Sequence, residues 1–422
     1  MSQLKASLKL AFIVSRDLSQ YHLVMEILDG KTLVFSDQHF GVKGNSPLRQ
    51  KIGVQAIREI LSYAKKSKAK NIIFCGDWFH SRATLDVSTL DIAFKCVQAL
   101  AKQCKLWMIL GNHDLYLKNS TEVSSMNIFK GDERIKIIDQ PTEVMLNSKR
   151  ALLVPWLANL DNCKKDTYDF LLGHFEISAK FLMQSYAEEH SGKLEASKSV
   201  SSAIDKDDFL DDPGASSTQP RPSTELLGSF IELAKPKTGV ILAGHIHTHK
   251  EMLAKSGRKF IFIGTPYEQN LGELGNACGF YEISEEGKLK FIKLDKLPRH
   301  IQLKTSEVKK IGFDKFDFSN VSGNIVQKIY DEELTHSEEA KLSQKINDFK
   351  PYEELMPEYK VAIQYALKSK DDQTSVELLQ KSKLEYIRNY IDNIDSKVLE
   401  ASNVGKDELF EILEGYYKRV VA

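Results

Sequence analysis

Five short apolar runs in this chain each break off into a polar motif of Asp, Asn and His, and this repetition constrains the fold more than any other feature. The stretch Ile72 to Cys75 reads as a buried strand that Gly76-Asp77 terminates. Thr32 to Phe35 runs into Asp37-Gln38-His39, and Leu106 to Leu110 runs into Gly111-Asn112-His113-Asp114. Asp169 to Leu172 leads to Gly173-His174, and Gly239 to Ala243 leads to Gly244-His245-Ile246-His247. Open α/β sheets gather ligands at the carboxyl ends of their strands. Carboxylate, amide oxygen and imidazole, with no thiolate, suit a hard or borderline divalent metal. Two ions about 3.5–4 Å apart need a shared carboxylate. Asp77 is the candidate for that role.

Helical patterns separate the runs. Ile52, Ala56, Ile57, Ile60, Leu61 and Ala64 recur at helical spacing, and Val87, Leu90, Phe94, Val97 and Leu100 mark a second amphipathic helix. Strand, helix, strand, helix, strand is the order of a parallel sheet with helical crossovers. Shorter strands are expected at Ile135–Ile138, Val144–Leu146, Ala151–Val154, Phe260–Ile263 and Phe280–Ile283, with a turn at Glu285-Glu286-Gly287-Lys288. Residues 1–30 read as a helical or frayed extension, and 175–189 as a helix beside the site. Ser197 to Thr224 is rich in Ser, Asp, Lys, Pro and Gly, with Asp205, Asp207, Asp208, Asp211 and Asp212 close together. That composition buries no core, so 191–224 is expected to be a disordered insertion; a solvated spacer is its simplest reading.

The predicted organisation is therefore an extension (1–30), a main α/β domain (31–296), a small α+β domain (297–350), and a linker with helical region (351–422). Pro351 and Pro357 mark the expected linker. Leu384, Ile387, Ile391, Ile394 and Val398 step by three and four, a seam suited to another helix. Lys plus Arg equals Asp plus Glu at 58 each, so overall charge gives no support for nucleic-acid binding, which must rest on local patches. Five scattered cysteines without paired spacing read as reduced, mostly buried thiols of a cytoplasmic protein. No apolar run is long enough to span a membrane.

Seven of the eleven histidines (His39, His80, His113, His174, His245, His247 and His249) fall in or beside the strand ends. Asp-x-His, Gly-Asp, Gly-Asn-His-Asp, Gly-His and Gly-His-x-His, in this order, resemble the calcineurin-like metallophosphoesterases. Within them the chain resembles the SbcD-type nuclease subunit of double-strand-break repair, phage versions included. Three features carry that narrower likeness: a histidine, His80, at the end of Gly76-Asp77-Trp78-Phe79-His80; the segment Ile263-Gly264-Thr265-Pro266-Tyr267 followed by Asn270-Leu271-Gly272-Glu273; and the added small domain and helical tail.

The resemblance implies a two-sheet α/β sandwich with a small α+β capping domain and a helical tail. It implies one divalent ion on Asp37, His39, Asp77 and His247, and a second on Asp77, Asn112, His174 and His245, with manganese preferred. It gives His113 a part in stabilising the transition state or protonating the leaving oxygen, and His80 a part in positioning the phosphate. Asp114 is expected to orient His113; His249 is balanced between supporting a ligand and lying exposed. The activity implied is hydrolysis of DNA, as a duplex-end exonuclease and single-strand endonuclease in repair, recombination and replication. The implied partners are DNA, an SMC-like ATPase of the SbcC type docked on the C-terminal helices, and a second copy of the chain. A phosphatase or cyclic-nucleotide phosphodiesterase of the same superfamily, or an inactive scaffold, are the alternatives.

Overall fold

The computed structural model describes residues 25–117, 119–160, 163, 167–175, 239–253, 258–360, 388, 391 and 405–421. The chain divides into two compact units, Met1–Leu297 and Pro298–Ala422. The expected helix over 175–189, the insertion at 191–224 and most of the seam from Leu384 to Val398 lie outside the described residues.

The first unit holds two sheets. The strands in chain order are β1 (Glu26–Leu28), β2 (Thr32–Phe35), β3 (Asn71–Cys75), β4 (Lys105–Ile109), β5 (Ile135–Ile138), β6 (Thr142–Leu146), β7 (Lys149–Val154), β8 (Phe170–Gly173), β9 (Val240–Ala243), β10 (Lys250–Leu253), β11 (Lys259–Phe262), β12 (Gly279–Ile283) and β13 (Leu289–Lys293). One sheet runs β13-β12-β2-β3-β4-β5, and the other β1-β6-β7-β8-β9-β11-β10. The pairs β2–β3, β3–β4, β7–β8 and β8–β9 are parallel, so within each sheet the motif strands end on the same side.

Alternation along the strands explains how the sheets stack. Val34, Ile73, Cys75, Trp107 and Ile109 from one sheet share a buried cluster with Val144, Leu153, Leu172, Leu242 and Ile261 from the other. The intervening residues Leu33, Phe35, Ile72, Phe74, Leu106 and Met108 are buried on the opposite face. Helices α1 (Pro47–Ser67) and α2 (Val87–Gln103) pack against each other, and α2 packs on β4. Ser46 caps α1 and Asp86 caps α2. The buried face of α2 is Thr89, Ala93, Cys96, Val97, Leu100 and Ala101, so the stripe is turned from the predicted one: Val87 and Phe94 are exposed. All five cysteines are free and buried.

Two segments differ from expectation. Part of the predicted extension is β1, which pairs in parallel with β6 and seals Leu28 into the inter-sheet core. The predicted linker begins with a strand, β16 (Glu353–Tyr359), so the small domain's sheet continues past residue 350. The second unit's sheet is β14 (His300–Lys304), β15 (Ile325–Tyr330) and β16, all parallel, with α3 (Thr305–Ile311) and α4 (His336–Asp348) between successive strands. Pro357 is tolerated because β16 is an edge strand and because the register slips there, Leu355 facing Gln327 and Glu358 facing Ile329. A last helix, α5, spans Lys406–Val421. Ile391, the one seam residue described, is buried rather than exposed.

A polar group inside this unit yields a prediction. The Lys328 ammonium lies 3.1 Å from Glu354 and 3.2 Å from Glu339, which also accepts from the Tyr330 hydroxyl. Lys328 is buried, whereas its partners are about one-third exposed. Lys328→Ala leaves two carboxylates facing each other and should cost roughly 2 kcal/mol in urea denaturation. A change within about 0.5 kcal/mol would show that solvent already screens the cluster like a surface pair.

Candidate active site

The five predicted strand ends do converge. Loops after β2, β3 and β4 bring Asp37, His39, Asp77, Asn112 and His113 from one sheet; loops after β8 and β9 bring His174, His245 and His247 from the other. Pairing continues past the strands and holds these loops in place: Asp37 N–H donates to Gly76 O at 2.9 Å and His39 N–H to Asp77 O at 3.1 Å. The two sheets are tied across the gap. His245 N–H donates to the Asp37 carboxylate at 3.0 Å, and His174 Nδ1 to Cys75 O at 2.8 Å.

Four of these residues sit in the left-handed backbone region: Asp37 (φ 54°), His39 (48°), Asp77 (63°) and His245 (78°). Non-glycine residues avoid it at a cost of order 1 kcal/mol or more each, and such strain gathers at functional sites. The motif glycines answer a different need. A Cβ on Gly111 would collide with the Asp77 carboxylate and backbone nitrogen, and one on Gly76 with the His174 ring.

Two donor groups result. Asp37, His39 and His247 form one, Asp77, His174 and His245 the other; within each, the ligand atoms lie within 4.8 Å of one another. Asp77 reaches toward both, its Oδ2 being 3.5 Å from His39 Nε2 and 3.3 Å from His174 Nε2. Asn112 Oδ1 joins the second, 2.8 Å from His174 Nε2 and 3.1 Å from His245 Nδ1. A third group, His39, His80 and His113, flanks the first. The His80 and His113 rings are stacked, with centroids 5.7 Å apart.

The donor set fits divalent cations, and the hydrogen bonds say so independently of composition. His174 Nδ1 faces a carbonyl, which only accepts, while Nε2 faces Asn112 Oδ1 and Asp77 Oδ2. With both ring nitrogens facing acceptors, the surroundings favour the charged imidazolium when no cation is bound. Burial pushes His174 down, but Asp77 and Asp37 outweigh this and lift it to about 9. Burial likewise raises Asp77, yet His174 and His113 hold it well below the usual carboxylate range. Burial, then the neighbouring His174 charge, takes His245 down to about 3. His39 and His247 point Nε2 at each other across 3.1 Å, a pair of nitrogens that suits a shared positive charge. The site is a nest of negative and lone-pair density that a proton fills only partly.

This gives a signed pH dependence for the metal-free protein. His174 has a folded pKa above its ordinary 6.5, so its contribution to stability is complete below about 6.5 and lost as pH rises through about 9. Melting temperature in EDTA should therefore fall across that window, and a divalent ion should abolish the fall. A flat profile in EDTA would mean that His174 is neutral throughout.

The structure places Asp114 differently from expectation. Its carboxylate accepts three backbone N–H bonds, from Asp77, Trp78 and Gly111, each 2.9 Å long. It therefore fixes the loops that carry Asp77 and Asn112. His113 is oriented instead by the His80 carbonyl, 2.5 Å from its Nδ1, and its own N–H donates to Asp77 Oδ1 at 2.8 Å. Burial and the adjacent Asp77 charge raise Asp114 to about 7, against the pull of those N–H donors. His249 packs flat on Phe291, ring centroids 4.0 Å apart, and is in none of the donor groups.

Several contributors have no motif of their own. Glu273 accepts from His247 Nδ1 at 2.8 Å and from Thr265, Gln269 and Asn270. A carboxylate behind an imidazole fixes the tautomer that turns Nε2 toward an ion. Gln269 donates to Asp37 O, and Ser36 to Cys75 O. Trp156 lies against His245 and His174, centroids 5.0 and 5.9 Å away. The sequence signal for Glu273 is the Asn270-Leu271-Gly272-Glu273 segment after the last histidine motif; Gln269, Ser36 and Trp156 carry none.

Comparison with known proteins finds several relatives. The chain is 25% identical over 316 residues to "Exonuclease subunit 1" of Enterobacteria phage T4, covering 73% of this chain and 80% of that protein. Among solved structures, the purple acid phosphatase PPD1 of yellow lupin (Lupinus luteus) matches at 11% identity and TM-score 0.38, over 64% of this chain and 52% of the lupin chain, so only about half of that protein is spanned. A dimetal phosphatase from Danio rerio matches at 13% identity and TM-score 0.28, over 61% of this chain and 92% of its own. The family model described as calcineurin-like phosphoesterase matches residues 30–249. That match begins just before β2 and ends just beyond His247, taking in all five donor-bearing strand ends, and the chain belongs to this family.

Proposed function

We propose that this chain is a two-metal DNA nuclease that cuts duplex ends exonucleolytically and single strands endonucleolytically. The observation that carries the reading is the likeness to the phage exonuclease subunit, which extends over 73% of the chain and so well beyond the donor motifs. Asp37, His39, Asp77 and His247 would hold one ion, and Asp77, Asn112, His174 and His245 the other, most suitably Mn2+. When bound, two such ions neutralise phosphate charge and make water nucleophilic near neutral pH.

The chain's own groups do the rest. The His80 carbonyl only accepts, so His113 Nδ1 carries a proton and Nε2 is the nitrogen that exchanges one. Beside the first donor group, it is placed to protonate the departing oxygen. The His80 ring, stacked on His113, positions the phosphate. The second unit serves in DNA binding, and the C-terminal helices dock an SMC-like ATPase of the SbcC type. Two copies pair, and the complex acts in repair, recombination and replication.

His113→Asn should keep both ions and lose roughly 10²–10⁴-fold in turnover, the usual worth of a proton-transfer group. Calorimetry with Mn2+ alongside a single-turnover assay separates the two effects. The whole reading is tested with purified chain and Mn2+, with and without the co-purified ATPase, on blunt duplex, hairpin and single-stranded DNA. Bis-p-nitrophenyl phosphate should be hydrolysed in preference to the monoester. Preference for the monoester with no DNA cleavage would make the chain a phosphatase.

A further inference from the structure

Trp156 stands at the carboxyl edge of β7, between the two sheets' donor loops. Its N–H donates to Leu110 O at 2.9 Å, which ties it to the strand preceding Gly111-Asn112-His113. The residue after it, Leu157, is held at φ 62°, so the turn that presents the indole is strained as the metal-donor turns are. The indole is tilted 43° to the His245 ring and set edge-on, at 68°, to His174. Trp156 is only partly buried. The other two tryptophans differ: Trp78 is 0% and Trp107 2% exposed, both within the core.

A large aromatic face, held beside the imidazoles of His245 and His174 and left only partly buried, has little to gain from packing alone. It suits a flat, apolar, π-rich group attached close to the phosphate. Resting on the nuclease reading above, we infer that Trp156 is a stacking platform for the nucleobase adjoining the phosphate to be cut. A base can lie on the indole only when it is out of a duplex stack, so this contact selects an unpaired nucleotide at the site. Stacking tolerates any base, because each has a π-face. The contact therefore discriminates unpaired from paired strands without reading sequence.

The test uses the full chain. In EDTA, where nothing is cut, single-stranded oligonucleotide is titrated while tryptophan emission is followed. Because Trp78 and Trp107 are buried, quenching reports Trp156. Trp156→Leu should remove the quenching and weaken oligonucleotide binding about 5- to 150-fold, the range set by base–aromatic stacking of ~1–3 kcal/mol. Trp156→Phe, which keeps an aromatic face, should recover most of the binding. With Mn2+, the rise in KM caused by Trp156→Leu should be several-fold larger for a normal strand than for one abasic beside the cut.

Equal losses on normal and abasic strands, or tight binding without quenching, would overturn the stacking role and leave Trp156 as a wall of the metal site, with the nuclease reading intact. A chain that neither binds nor cuts any DNA would overturn both.

Discussion

Asp77→Ala is expected to abolish tight binding of both divalent ions and to slow phosphoester hydrolysis by more than about 10³-fold. Among the described residues, no other side chain spans both donor groups as this carboxylate does, at 3.5 Å from His39 Nε2 and 3.3 Å from His174 Nε2. Losing it also frees the His113 backbone from Asp77 Oδ1. His113 would then lose its position as well as its neighbours. Loss of a ligand peculiar to one ion, as in His247→Ala, should spare the second group's affinity. Calorimetry that still counts two ions on the Asp77 variant would remove the shared-ligand geometry, and with it the mechanism.

The second large effect is on folding. Asp114→Ala leaves three buried backbone donors, those of Asp77, Trp78 and Gly111, without an acceptor. At roughly 1–3 kcal/mol for each unsatisfied group, the loss should reach about 3–9 kcal/mol. Asp114→Asn should lose less. One Asp114 oxygen accepts from both Asp77 and Gly111, and an amide oxygen in its place keeps those two bonds. The measurement is denaturation of metal-free protein, where catalysis plays no part. If Asp114→Ala were as stable as the parent yet inactive, Asp114 would belong with the reacting groups.

The strands that carry the donors were legible because each is a short apolar run cut off by a polar motif, a pattern that only a sheet buried on both faces requires. The elements that escaped lack that contrast. Three-residue β1 is defined by its pairing with β6, more than a hundred positions away, and no local pattern encodes such a partner. Edge strand β10, Lys250–Leu253, is mostly exposed and alternates weakly. β16 carries a proline that argues against a strand until its bulge is seen. Within the site, residue types disclosed the donors, but not which atom each presents. Asp114 stands next to His113 in sequence and nevertheless turns to the backbone. Glu273 supports His247 from a separate loop. Neighbourhood along the chain is a poor guide where backbone donors compete for a carboxylate.

The four left-handed turns at Asp37, His39, Asp77 and His245 have a bearing on how the protein exchanges its ions. Their cost is met within the fold, by hydrogen bonds such as Asp37 N–H to Gly76 O that join backbone groups and use no side-chain donor atom of the site. Emptying and refilling the site then asks for no rewinding of the chain. Occupancy follows the supply of divalent cations in the surroundings, and a chelated sample should regain its metal once His174 has shed its proton, well ahead of any refolding step.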